Sequence, residues 1–308
     1  MTRRSFITRF YVYQQERFPF LAHGILIATF SFSAISYSRI CRGAAGFIDM
    51  KNYLATVFIT FSLFLLVRIF DEFKDAKDDA MYRSELPVPR GLVNLSELAV
   101  VGAFVVVFQI GVHIVFFPAM FGFYALVLGY LLLMGKEFFI AEWLKRHQFW
   151  YVVSHMLIIP LIDVYASGVD WFLANAAAPK GLLLFFIVSF MNGVVLEIGR
   201  KIRTPEQEKK GVVTYSALLG AEKATWLWLA MLVFTFIWSI LASFFAGYGQ
   251  VAFIVLAVVL VICALPALFF LRKKEAKSAK MIEYASALWT VAMYFTLGAA
   301  PMLLHLFA

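Results

Sequence analysis

The sequence predicts an all-α, polytopic membrane protein, a bundle of nine transmembrane helices with cap loops on the cytoplasmic side. Three observations lead there. Of the 308 residues, 63% are hydrophobic and only 15% charged, against about half and a quarter in soluble domains. Nine apolar runs each approach the roughly 20 residues that a helix needs to cross a bilayer. No run shows the strict alternation of an outer-membrane strand. Disorder is excluded by the same apolar content, and two cysteines, Cys41 and Cys263, cannot build a disulfide framework.

Taken in order, Thr2–Phe18 sets Arg3, Arg4, Arg9 and Arg17 among Phe6, Ile7, Phe10, Tyr11 and Tyr13. That mixture predicts an amphipathic helix over 1–18, lying on the inner leaflet. The first apolar run is too long for a secretory signal. Spans are expected near 20–38, 53–70, 98–117, 119–140, 149–167, 181–196, 224–245, 249–271 and 284–305. Pro118 forces a tight turn between the third and fourth, and the sixth stops abruptly at Glu197. No linker or low-complexity tract interrupts the series, so 1–308 reads as a single domain.

The net charge of +8 invites a nucleic-acid reading, which the apolar content excludes. The cations instead set orientation. With the amino terminus inside, the tail and the loops 71–97, 141–148, 197–223 and 272–283 hold 4, 4, 2, 6 and 5 Lys/Arg. Arg68 and Lys136 on adjoining helix ends bring the inner total to 23, against 4 outside: Arg39, Arg42, Lys51 and Lys180. This asymmetry puts the amino terminus in the cytoplasm. With no transit or retention signal in view, a bacterial plasma membrane is the expected location.

Two charged loops then stand out. The first closes the second span and contains Arg68, Asp71, Glu72, Lys74, Asp75, Lys77, Asp78 and Asp79. On a continuing helix Asp71, Asp75 and Asp79 share one face. Carboxylates stacked this closely repel unless a cation sits among them. Hard oxygen ligands of this kind suit Mg²⁺, which prefers one or two carboxylates completed by phosphate oxygens. The alternative for the same residues is a solvated helix end, with Lys74 and Lys77 offsetting the acids. A basic, Pro-punctuated stretch from Arg83 to Arg90 and Gly91 follows, placed to fold back over the site. The second loop closes the sixth span with Glu197, Arg200, Lys201, Arg203, Glu206, Glu208 and, further on, Tyr215. Its cations are natural phosphate partners, although the inside-positive bias alone also accounts for their number.

Together these features resemble the UbiA superfamily of intramembrane prenyltransferases, which has nine spans and acidic motifs on the cytoplasmic loops after the second and sixth. Its first motif, N-D-x-x-D-x-x-x-D, is matched by Asp71-Glu72-x-x-Asp75-x-x-x-Asp79, with Asp for Asn and Glu for the first Asp. Lys145-Arg146 resembles the family's basic pair at the start of the fifth span. The second motif, D-x-x-x-D, is replaced by Glu197-x-x-x-Lys201, which removes one acid and adds a cation. Glu206 or Glu208 reaching back is the other way to supply that acid.

The resemblance implies an Mg²⁺-dependent enzyme acting on an isoprenyl diphosphate donor and a lipid or aromatic acceptor, within membrane lipids and without nucleic acid. It places Asp71, Asp75, Asp79 and Glu197 at the metal. Asp75, Lys145 and Lys201 become catalytic groups, and Arg68, Arg83, Arg90, Arg146, His155, Arg200 and Tyr215 substrate contacts. Among the abundant aromatics, Phe138, Phe139 and Trp143 are candidates to face an allylic cation. His155 lies deep enough in the fifth span to orient an acceptor; Asp163 is expected at its outer interface, beside Ser167 and Gly168. Two further classes stay open: a terpene cyclase of the same superfamily, and a non-catalytic isoprenoid-binding or transport protein. A transporter would place ionisable residues near the midplane, whereas here they gather at one face.

Overall fold

A computed structural model describes residues 5–307; Arg3 and Arg4 of the amino-terminal stretch lie outside them. The elements run α1 (Phe6–Arg17), α2 (Phe20–Arg42), α3 (Met50–Lys74), α4 (Ala76–Tyr82), α5 (Leu95–Phe116), α6 (Phe121–Gly135), α7 (Ala141–Arg146), α8 (Gln148–Met156), α9 (Ile158–Trp171), α10 (Leu182–Gly199), α11 (Tyr215–Leu219), α12 (Ala221–Phe245), α13 (Gly249–Lys273), α14 (Ala276–Tyr294) and α15 (Ala300–Phe307). Among the described residues nine helical stretches are long and apolar enough to span a membrane, with α8–α9 and α14–α15 each counting as one. Exposed side chains along α13, such as Val251, Ile254, Val258 and Val261, form an apolar face that only lipid tolerates. The chain is an integral membrane protein.

The structure corrects one edge and shows an irregular turn inside the ninth span. The fourth span ends at Gly135 rather than near 140. Beyond it Glu137, Phe138 and Phe139 all take left-handed backbone (φ 47, 54 and 60°), a conformation that costs non-glycine residues energy and stops the right-handed helix. The ninth span continues past α14 through a π-helical turn, Phe295–Ala299. Such a turn displaces main-chain carbonyls from their helical donors; the Ser33 hydroxyl donates to the Tyr294 carbonyl and the Tyr248 hydroxyl to that of Leu297.

The helices fall into two compact units, residues 1–28 with 49–158, and residues 29–48 with 159–308. In the first, α3 packs on α5 and α6, and Tyr13, Phe18, Ile27, Leu65, Ile69, Val93 and Leu98 make a core cluster. A polar chain crosses its apolar interior: Tyr124 Oη donates to Gln109 Oε1 (2.9 Å), and Gln109 Nε2 to Ser62 Oγ (2.8 Å). His113 is fully buried there, with Nδ1 2.7 Å from the Gln109 carbonyl. Helix α1 keeps an exposed face, with Ile7 79% and Tyr11 58% exposed. It is docked on this unit through fully buried Tyr13 and through ion pairs of Arg9 with Glu97 and of Glu16 with Arg90.

In the second unit α10, α12, α13 and α14 pack on one another. The end of α10 needs Gly199: a Cβ there would stand 2.0 Å from Ser286 Oγ and 2.9 Å from Trp228 Nε1. The Trp228 indole uses that close approach to donate to the Val195 carbonyl (3.1 Å) and to Ser286 (3.0 Å). Asp163 is fully buried in this unit. Tyr294 and Ser189 share a hydrogen bond at 2.8 Å, and both Asp163 and Asn192 interact with this pair.

Candidate functional site

The acid run forms at the end of α3, where the helix pauses at Asp75 and resumes as α4. That joint presents Asp71 and Asp75 on a partly open edge, 28% and 32% exposed. The Lys74 ammonium lies against both carboxylates, at 3.3 and 3.8 Å. Burial pushes the Asp75 carboxyl above its usual range; Lys74 opposes that shift and Asp71 adds to it. Glu72 and Asp79 instead turn inward. Arg17 (2.6 Å), Arg68 (3.4 Å) and Tyr13 (3.5 Å) converge on Glu72 Oε1. Asp79 is paired with Arg83 (2.8 Å) and, at longer range, with Arg17 (3.9 Å).

From this edge Lys74 leads to an aromatic wall. Its ammonium donates to Tyr151 Oη (2.9 Å) and lies 5.4 Å from the ring centroid. Tyr151 stacks on His155, with centroids 4.0 Å apart and planes at 19°. Phe138 meets His155 edge-on at 6.1 Å, and Tyr130 meets Phe138 at 5.4 Å. The left-handed turn aims Phe138 inward, while Phe139 is 78% exposed and Trp143 sits half-exposed against His147. Of the three aromatics named by sequence, Phe138 alone therefore joins the wall. His155 Nδ1 lies 2.8 Å from the Tyr151 carbonyl, which assigns the proton to Nδ1 and leaves Nε2 as the acceptor nitrogen. Lys145 and Arg146 are exposed in the last turn of α7. Arg90 makes a two-pronged contact with Glu16 (2.7 and 3.0 Å).

The second loop is built differently. Glu197 is buried and takes Lys201 Nζ at 2.6 Å and a short contact from Arg200, which also donates through Nε at 2.8 Å. Neither later acid stands in for the missing one: Glu208 accepts from Thr214 (2.7 and 2.8 Å) and Glu206 is exposed. Ser216 accepts from the Arg203 amide (2.8 Å) and donates to the Lys201 carbonyl (3.3 Å), pinning the loop beside buried Tyr215.

Sequence reasoning missed Arg17, Glu72 as an arginine-bound group, and Tyr151. The last carried a signal, standing one turn before His155 and facing the same way. Among the described residues no group of three or more His, Cys, Asp or Glu is arranged to hold a metal by itself. Asp71 and Asp75 nevertheless fit a hard divalent cation, because two open carboxylates are what Mg²⁺ takes from a protein when phosphate oxygens supply the rest.

No curated protein matches the sequence. Two solved structures share its fold across 91% of the chain. One is that of a digeranylgeranylglyceryl phosphate synthase, 17% identical, with 98% of it covered and a TM-score of 0.58. The other is an apo UbiA homolog from Aeropyrum pernix K1, 16% identical, with 97% covered and a TM-score of 0.65. The sequence pattern of the UbiA prenyltransferase family matches residues 30–291. Nine spans, a shared fold and a match over most of the chain make this protein a member of the UbiA prenyltransferase family.

Proposed function

We propose that the chain ionises an isoprenyl diphosphate in an Mg²⁺-dependent step and transfers the prenyl group to a lipid or aromatic acceptor. The observation that carries this reading is the adjacency of two open carboxylates, Asp71 and Asp75, to the Tyr151–His155–Phe138 wall through Lys74. UbiA prenyltransferases generally use a divalent metal. When bound, Mg²⁺ offsets the charge that develops on the departing diphosphate.

The chain's own residues do the remaining work. Asp71 and Asp75 bind the cation. Asp79, already engaged by arginine, shapes the charge around them, and Glu197 does the same for Arg200 and Lys201. Lys74 gives an ammonium next to the leaving oxygens, and Arg68 lies on the same helix face. Arg83, Arg90, Lys145, Arg146, Arg200 and Lys201 are the further cations offered to phosphate, and Tyr215 is a further substrate contact. The π faces of Tyr151 and Phe138 stabilise an allylic cation formed beside them. His155 Nε2 orients the acceptor or takes its proton. The excess of cations on the loops supports an active site on the cytoplasmic side, and a bacterial plasma membrane is the proposed location.

The test is diphosphate release by detergent-purified protein from C10 to C20 prenyl diphosphates, with and without Mg²⁺, alongside Asp75→Asn. Release that needs Mg²⁺ and vanishes in the variant supports ionisation. An acceptor-linked product then identifies transfer, and a cyclic hydrocarbon or alcohol identifies cyclisation instead. Folded protein that binds donors but releases nothing, even with membrane lipid extract added, overturns the enzymatic reading in favour of isoprenoid binding.

A further inference from the structure

Burial and arginine divide the acid run into two sets. Glu72 and Asp79 are each 1% exposed, two helical turns apart, and one guanidinium reaches both: Arg17 Nε meets Glu72 Oε1 at 2.6 Å and Arg17 Nη2 meets Asp79 Oδ2 at 3.9 Å. Arg83 completes the inner set, and Arg68 bridges to the outer one, 3.4 Å from Glu72 and 3.9 Å from Asp71. Asp71 and Asp75 form the outer set around Lys74. The arginine that draws this line comes from α1, 55 residues away from Glu72 in sequence. Its position is fixed from both ends of that helix. Arg9 forks onto Glu97 (2.9 and 2.5 Å) and donates to the Leu92 carbonyl (2.9 Å), while Glu16 receives Arg90. Between them Tyr13 is fully buried in the core of the unit.

Glu72 stands where the family pattern has its first motif Asp. A glutamate is one methylene longer, enough to carry its carboxylate past the open edge and into the arginines. A buried carboxylate held by two guanidiniums is costly to withdraw. We propose that Arg17 is a positioning residue, which holds Glu72 and Asp79 away from the bound cation and leaves Asp71 and Asp75 as the carboxylates this run contributes. The proposal rests on the reading that the run binds a divalent cation. It makes the amino-terminal helix part of the site.

The experiment measures Mn²⁺ binding by electron paramagnetic resonance, on full-length protein in detergent with no prenyl substrate. Wild type is compared with Glu72→Gln, Arg17→Gln, Arg17→Lys, the Arg17→Gln/Glu72→Gln double variant and Asp75→Asn. Thermal unfolding followed by circular dichroism controls for folding. Glu72→Gln is expected to bind Mn²⁺ within about twofold of wild type, and Asp75→Asn at least about tenfold more weakly, or 1.4 kcal/mol by the tenfold conversion. Arg17→Gln frees an additional acid, so Mn²⁺ binds about tenfold tighter and with an altered spectrum; the double variant returns to the wild-type value. A merely structural arginine would not give that return. Arg17→Lys, which keeps a point charge, stays close to wild type and serves where Arg17→Gln does not fold. Loss of Mn²⁺ in Glu72→Gln equal to that in Asp75→Asn overturns the proposal while leaving the metal reading intact. Unchanged binding in folded Arg17→Gln also overturns it. Wild type that binds no Mn²⁺ removes the metal reading itself, and this proposal with it.

Discussion

In the first charged run, four carboxylates share their surroundings with Arg17, Arg68, Lys74 and Arg83, and the acids Asp71 and Asp75 keep an open edge. In the second, one buried carboxylate, Glu197, is enclosed by Arg200 and Lys201. The first therefore has anionic oxygen to offer a cation, and the second has cationic nitrogen to offer an anion. A motif that is acidic in the family has become a basic one at its last position here, through Lys201. What this contrast teaches is that two loops that look alike in sequence, both rich in charge, offer opposite chemistry once their own ion pairs have formed.

The contrast is broken most severely at Asp75. Asp75→Asn removes one of two open carboxylates and should lower the rate of diphosphate release by about 10²- to 10³-fold, the scale of losing a key electrostatic group. An effect under tenfold would show that the open edge is not where ionisation is assisted. Lys201→Asp attacks the other side by restoring the family's acid. It exchanges a resident cation for a further metal requirement, so the Mg²⁺ concentration for half-maximal release should rise about tenfold. An unchanged Mg²⁺ titration would mean that Lys201 never contacts phosphate.

How much of this was legible in the sequence follows from the range of each force. The nine spans were readable because the bilayer imposes a length on every one of them, and Pro118 marked a turn that the structure contains. The spacing of Asp71 and Asp75 was readable because helix periodicity is local. Partners across helices were not. Arg39 and Arg42 count as outer cations in the sequence, yet both are spent on buried Asp170, at 2.8 and 2.6 Å, with Ser38 adding a third donor. That pairing spans about 130 residues, and no periodicity announces it. The surroundings of Asp163 were hidden for the same reason, since Ser189 and Tyr294 lie more than 20 positions downstream. The left-handed turn at Glu137–Phe139 was hidden differently, because it contains no glycine to signal it.

Glu197→Gln gives a smaller, structural effect. It leaves Arg200 and Lys201 without their acid, but Arg200 is already more than half exposed and turns readily to water. The expected loss is about 2 kcal/mol, that of hydrogen bonds to a charged group, read from thermal unfolding in detergent. A loss near zero would mean the two cations hold the loop by other contacts.

The smallest effect separates two roles for Arg90. It was expected to bind substrate, and in the structure it is clasped to Glu16 on the open surface. An exposed pair of this kind stabilises by no more than about 1 kcal/mol, so as a strap Arg90→Gln and Glu16→Gln should each cost that little and leave the KM for prenyl diphosphate alone. If Arg90 instead leaves Glu16 to bind phosphate, the two variants part company. Arg90→Gln then raises KM, whereas Glu16→Gln, which frees the guanidinium from its competitor, lowers it. Measuring KM for both variants beside their unfolding midpoints decides whether the Pro-punctuated loop serves the amino-terminal helix or the donor.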